Sequence, residues 1–247
     1  MAKSSKLDIV FEDEYMIACV KPYGVSSQPD NGSGEDLMTT VKNYLYDEGL
    51  KKGVDEEPYL AVINRLDRPV SGIVLYAKTE DMAASLSDMI QNDEISKFYQ
   101  AVVTGFFEEP EGTLTDWILF DKKTNVSRIV SADTKGAKKA ELNYEVLDEL
   151  DTDEGPISYL LIELMTGRHH QIRCQLANAG CGIWGDTKYN RKFGEKKSKP
   201  GTKQKKRLGI GLFSTMLEFT HPVTGEEISL HREPEGEAFD IIDQMDW

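Results

Sequence analysis

The sequence predicts an α+β fold, a mainly antiparallel mixed sheet flanked by helices and loops. Three observations lead there: short alternating or β-branched runs outnumber helical patterns, single helices interrupt them, and Gly, Pro and Asn punctuate the gaps. No segment repeats at a fixed period, which excludes solenoids and propellers. With 247 residues, 39% of them hydrophobic, the chain can bury a proper core without disulfide staples.

Leu7 to Phe11 alternates apolar and polar residues, and Tyr15 to Val20 is an apolar run ended by Lys21-Pro22, so two short strands open the chain. Pro22 to Glu35 holds two Pro, three Gly and four Ser or Asn in fourteen residues, the composition of a surface loop. Leu37, Val41, Tyr44 and Leu45 recur at helical spacing, which predicts a helix over Asp36–Glu48 with Gly49 as its stop. Tyr59–Ile63 and Gly72–Lys78 read as core strands on either side of the polar cluster Asn64-Arg65-Leu66-Asp67-Arg68-Pro69. Thr79 is a good N-cap for a helix over Glu80–Gln91, where Met82, Leu86 and Met89 repeat. Phe98–Gly105 is a strand, and further β-rich stretches lie within Thr113–Val130, Ala140–Leu150 and Ser158–Met165. After Thr166-Gly167, Arg168–Ala179 reads as a helix with an Ile172, Leu176 and Ala179 stripe, closed by Gly180. Gly211–Phe219 and Glu227–Leu230 form the last strands, around a turn at Thr220–Gly225.

Apolar runs such as Ile73 to Ala77 are far too short to cross a bilayer, and the N-terminus lacks the apolar stretch of a signal peptide, so no membrane partner and a cytoplasmic address are expected. Cys19, Cys174 and Cys181 cannot all pair and show no CxxC spacing, which points to reduced thiols. A net charge of −14 argues on its face against nucleic acid. The distribution reverses that inference. Lys188 to Arg207 carries ten Lys or Arg against one acid, net +9, so the rest of the chain holds −14 − 9 = −23. Acids gather in Glu145–Glu154 and Glu233–Trp247. The basic stretch 188–207 reads as a mobile loop suited to phosphate, with Lys203, Lys205, Lys206 and Arg207 as its phosphate-binding candidates.

Asp67, flanked by Arg65 and Arg68 after a core strand, is held ionised by its neighbours and can serve as base or nucleophile; a structural Arg-Asp-Arg ion-pair cluster is the competing reading. Gly167-Arg168-His169-His170-Gln171-Ile172-Arg173 dresses the first turns of the predicted helix with anion-binding side chains at its positive dipole end. Metal binding by His169, His170 with Cys174 or Asp186 is disfavoured, because no HExxH pattern or second ligand cluster accompanies them. Tyr99 alternates with Phe98 across a strand, so one ring enters the core and the other faces elsewhere.

Taken in order, these segments resemble the RluA family of pseudouridine synthases from about Ile9 to Leu230. The carriers are ACVKPYGVSSQP (Ala18–Pro29), INRLDRPVSGIVLYAKT (Ile63–Thr79), KFYQAVVTG (Lys97–Gly105), MTGRHHQIRCQLANAGCGIWGDTKY (Met165–Tyr189) and LEFTHPVTGEEISL (Leu217–Leu230). The resemblance implies the pseudouridine synthase fold, here a single catalytic domain over 1–247 without an N-terminal S4-like module. It also implies an enzyme that isomerises a uridine in rRNA or tRNA, with no cofactor and no metal, working as a monomer. Asp67 would act at the sugar, as nucleophile at C1′ or base at C2′. Arg173 would pair with Asp67 and keep it charged, and Tyr99 would stack against the target uracil. Arg65 and Arg68 would grip RNA beside the catalytic carboxylate, and Arg168, His169, Gln171 and the basic loop would hold its backbone. Asn64 departs from the family, which usually has His there. A non-catalytic RNA-binding protein of the same fold is the alternative, and intact Asp67, Tyr99 and Arg173 speak against it.

Overall fold

The computed structural model describes residues 7–30, 34–153, 155–194 and 209–243. Its elements run β1 (Ile9–Glu12), β2 (Met16–Lys21), α1 (Leu37–Lys51), β3 (Ala61–Val62), β4 (Ser71–Ala77), α2 (Glu80–Gln91), β5 (Ser96–Thr104), β6 (Glu111–Asp121), β7 (Val126–Val130), β8 (Lys138–Thr152), β9 (Gly155–Leu164), α3 (Gln171–Asn178), β10 (Leu212–Thr220), β11 (Glu227–His231) and α4 (Glu237–Asp243). They gather into two compact units, one of Met1–Ser96 with Ser214–Glu233, the other of Lys97–Phe213 with Pro234–Trp247. The strands are mostly antiparallel, the α+β class that the sequence predicts.

In the first unit β2 lies between β1 and β4, β10 flanks β4 on its other side, and β3 and β11 pair with β4 and β10. The continuous apolar run of β4 makes it a central strand, buried from Gly72 to Ala77. Gly72 is required: at φ +117 a Cβ there would come within 2.4 Å of the Ser214 backbone. The Thr79 hydroxyl caps α2 by accepting from the Met82 amide at 3.2 Å. Met82 and Leu86 then pack on Met16, Ala18, Ile73 and Leu75, with Leu217, Phe219 and Leu230 completing the core.

Helix α1 and strand β3 depart from expectation. Helix α1 passes through Gly49 and ends at Lys51; the stop is Gly53, at φ +81, where the chain needs the left-handed region. The expected strand 59–63 shortens to two residues, because beyond Ile63 the side chain of Asn64 replaces the backbone ladder. Its Oδ1 accepts from Leu75 N at 2.7 Å and its Nδ2 donates to Ile73 O at 3.1 Å.

The second unit carries the strand order β5-β9-β8-β6-β7. Alternation in β9 buries Leu160, Ile162 and Leu164, while α3 sets Cys174 against Ile118 and Ala140. Helix α4 lies in a stretch that the sequence reading took only as acidic; Phe239 and Ile242 are nevertheless buried, with the Phe239 ring 6.4 Å from Phe213 and 6.3 Å from Tyr159. Among the described residues no helix is long and apolar enough to cross a membrane.

Candidate active site

Asp67 lies in the tight turn between β3 and β4, where Val70 N donates to Asp67 O at 2.9 Å. Buried Leu66 and Val70 anchor the turn on either side, leaving Asp67 half-buried and Arg65 exposed. A second loop, 21–27, staples it from below. Ser27 exchanges hydrogen bonds with Leu66, its hydroxyl accepting from the amide at 3.0 Å and donating to the carbonyl at 3.2 Å. The Tyr76 hydroxyl donates to Ser27 O at 2.6 Å, tying that loop to β4.

Among the described residues neither Arg65 nor Arg68 is seen in an ion pair with Asp67. The Arg68 Nε donates to Gly24 O at 2.9 Å, and the Arg65 guanidinium has no ion-pair partner among the described residues. A cation close enough to Asp67 to interact with it is Lys21, a residue that sequence patterns alone do not single out. It is fully buried, and its amine donates to Val25 O at 2.8 Å, Pro22 O at 3.2 Å and Arg68 O at 3.3 Å. Burial pushes its pKa down to about 7, opposed by the attraction of Asp67 and aided by the repulsion of Arg68. A lysine closing an otherwise apolar strand, Ile17-Ala18-Cys19-Val20, was the available signal.

The other site residues belong to the second unit. Tyr99 sits on β5 opposite Ile162 and is 7% exposed; it is the inward ring of the Phe98-Tyr99 pair. Arg173, on α3, is also buried. Its Nε donates to Asp186 Oδ2 at 2.7 Å and its Nη2 to Asp186 Oδ1 at 2.9 Å, a bidentate fork. Asp186 also accepts the amides of Lys188 at 2.9 Å and Tyr189 at 3.2 Å. Burial alone would raise its pKa; the hydrogen bonds and charge of Arg173, with those two amides, outweigh this and hold the carboxyl below its ordinary range. The Arg173 guanidinium carbon lies 5.1 Å from the centroid of the Tyr189 ring.

The segment before Arg173 departs from expectation. Helix α3 starts at Gln171, not Arg168, because His170 adopts φ +52 and turns the chain sharply. Gln171, expected to contact RNA, is 3% exposed and serves the fold: its Oε1 accepts from Thr166 Oγ1 at 2.8 Å and Arg168 N at 2.9 Å, and its Nε2 donates to Glu141 O at 3.0 Å. Arg168 is exposed, with its Nε on Lys139 O at 2.9 Å. His169 stacks between Phe120 and His170, at centroid distances of 3.9 and 3.7 Å. Lys203, Lys205, Lys206 and Arg207 lie outside the described residues. Among the described residues no group of three His, Cys, Asp or Glu could hold a metal ion.

Residues 15–178 match the family model described as RNA pseudouridylate synthase. The chain belongs to the RluA family of pseudouridine synthases. It is 29% identical to "tRNA pseudouridine synthase C" of Vibrio vulnificus, over 98% of this chain and 96% of that one. It is 27% identical to "Ribosomal large subunit pseudouridine synthase D" of Vibrio cholerae, over 93% of this chain and 68% of that one. Its fold matches the solved structure of human RNA pseudouridylate synthase domain containing 4, with a TM-score of 0.71 and 22% identity, covering 92% of this chain and 88% of the other. As an RluA-family enzyme it isomerises uridine in RNA to pseudouridine.

Proposed function

We propose that Asp67, Tyr99 and Arg173 carry this isomerisation, with Asp67 acting on the ribose. The observation that supports it most is the way the Asp67 loop is held. The loop is fixed by backbone and neutral side-chain bonds through Ser27, Asn64 and Tyr76, while the Arg68 side chain goes to the Gly24 carbonyl. A carboxylate whose loop is kept in register by other groups suits attack on a sugar carbon or proton.

In the reaction the N1–C1′ bond breaks, the uracil turns, C5 joins C1′, and the proton lost from C5 is balanced by one gained at N1. Asp67 assists cleavage as nucleophile at C1′ or as base at C2′; a primary isotope effect with 2′-deuterated uridine marks the second route and its absence the first. By the family resemblance Arg173, oriented by Asp186, pairs with the catalytic carboxylate, and Tyr99 stacks on the uracil while it turns. The target nucleotide must leave its stack to be reached. The chain works as a monomer in the cytoplasm, as a single catalytic domain over 1–247.

Pseudouridine mapping by carbodiimide labelling and reverse transcription tests this, on total RNA from cells with and without the gene. A stop that vanishes with the gene and returns with wild type but not with Asp67→Asn is the expected outcome, and its position decides between transfer and ribosomal RNA. Restoration by Asp67→Asn would overturn the assignment.

A further inference from the structure

The second unit is electrically polarised along its strands. At the start of β6 and the end of β8 the charges are acidic: Glu111 faces Glu145 across the ladder, and Glu145 to Asp153 adds four more acids and no cation. At the opposite end, where Ile118 faces Lys138, Lys122 to Lys139 holds six Lys or Arg and one acid. Two remote cations join that end. Arg168 Nε donates to Lys139 O at 2.9 Å, and Lys188 Nζ donates to Asn125 O at 2.8 Å. The acids here are engaged: Glu141 pairs with Lys139 at 2.6 Å, Asp121 lies 3.7 Å from Arg128, and Asp133 accepts from Ser131. Lys122, Lys123 and Lys138 are exposed and have no ion-pair partner among the described residues.

The ring pile rises through the same place. His170 is buried at 8% exposure, His169 is half-buried above it, and Phe120 is the outermost ring, 37% exposed near the turn end of β6. Ser127 braces the pile, its hydroxyl 2.9 Å from His169 Nδ1 and 2.6 Å from His169 O, and the Tyr189 hydroxyl stands 2.8 Å from His170 Nδ1. An exposed aromatic ring held from beneath by two stacked imidazoles loses little freedom when a further ring is laid on it.

We propose that this β6–β7 end of the second unit is a docking surface for the RNA substrate, with phosphates on Lys122, Lys123, Lys138 and Arg168 and one unpaired base stacked on Phe120. Cations in this arrangement supply affinity without sequence choice, and a supported ring supplies a sequence-tolerant platform for a splayed base. The acidic end of the same ladder repels the backbone, so the dipole also sets the direction in which RNA approaches. The proposal rests on RNA being the substrate, and makes no use of Asp67.

The test is fluorescence anisotropy of the full chain with a labelled single-stranded oligouridylate, titrated against salt. Lys122→Gln with Lys123→Gln should make the slope of log affinity against log salt shallower by about 1.4, two phosphates at about 0.7 each. Phe120→Ala should weaken binding by about 5- to 150-fold at every salt with the slope kept, while Phe120→Trp binds as well as wild type or better. Lys51→Gln with Lys52→Gln, at the end of α1 in the first unit, is the charge-matched comparison and should leave the slope in place. An equal change of slope in both double variants, wild-type binding by Phe120→Ala, or no salt-dependent binding by wild type would each overturn the proposal. Lost turnover with unchanged binding, as Asp67→Asn should give, would bear on the chemistry and not on this surface.

Discussion

Lys21→Met removes a buried cation that the fold holds beside Asp67, at nearly constant volume. Burial lowers the lysine from its ordinary 10.5 to about 7. At about 1.4 kcal/mol per pH unit, that gap puts a ceiling of about 5 kcal/mol on what it costs the folded state to keep the amine charged. The three carbonyl acceptors match the three N–H groups of an ammonium, so the realised value falls below that ceiling. The sign follows from proton counts. Below pH 7 both states hold the proton and the penalty is complete; between about 7 and 10.5 the unfolded chain keeps a proton that the folded one sheds, so wild-type stability rises with pH. The methionine variant has no such group and leaves the Val25 carbonyl without this donor, at a cost of about 1–3 kcal/mol. The wild-type advantage over Lys21→Met should therefore grow by several kcal/mol from about pH 6.5 to about pH 9.5. Urea unfolding reads it by far-UV circular dichroism or amide exchange, because among the described residues Trp117 and Trp184 lie in the second unit and Lys21 in the first. A stability difference that stays flat over that range would refute the placement of the amine.

Asp186→Asn should cost about 3–5 kcal/mol in denaturant unfolding, since it takes the bidentate carboxylate away from the buried Arg173 guanidinium. The carboxyl is held below its ordinary 3.8, so the pair's contribution is complete above about pH 4 and is lost as pH falls through the folded value; the variant should lack that acid-side decline. The thiols of Cys19 and Cys174 are buried, with burial pushing them up to about 12 and about 11, and that of Cys181 is raised as well. A thiol reagent at about pH 8 should label none of the three in the folded protein and each of them once its unit unfolds; fast labelling of any one before unfolding would contradict its burial.

Elements with a strong local period were legible from the sequence. Thr79 with Met82 and Leu86 marked α2 to the residue, and the unbroken apolar run of β4 marked a central strand. Boundaries set by backbone dihedrals were not: Gly49 looks like a helix stop, yet Gly53 takes the left-handed conformation, and nothing in the pattern GRHHQIR announces that His170 does too. Asp67, Tyr99 and Arg173 were chosen by order of motifs. Their supports were hidden because they are contacts at a distance in the chain: Asp186 lies thirteen residues beyond Arg173, and Ser27 lies thirty-nine before Leu66. Gln171 misled for the same reason, since an amide in a basic motif looks available until Thr166, Arg168 and Glu141 are seen to use it.

The acidity of the chain and its RNA substrate are compatible once charge is located and not averaged. Screening reaches about 8 Å at physiological salt, so a phosphate senses the cations within a few residues' reach and little of a net −14 spread over the molecule. Along the β6–β8 ladder, Glu111 and Ile118 are seven residues apart, about 23 Å at 3.3 Å per residue, which is more than two screening lengths between the acidic and basic ends. RNA held at one end is therefore shielded from the acids at the other. The same acids keep the remaining surface from gathering nucleic acid indiscriminately, so the excess of negative charge narrows where RNA can settle without cancelling its attraction there.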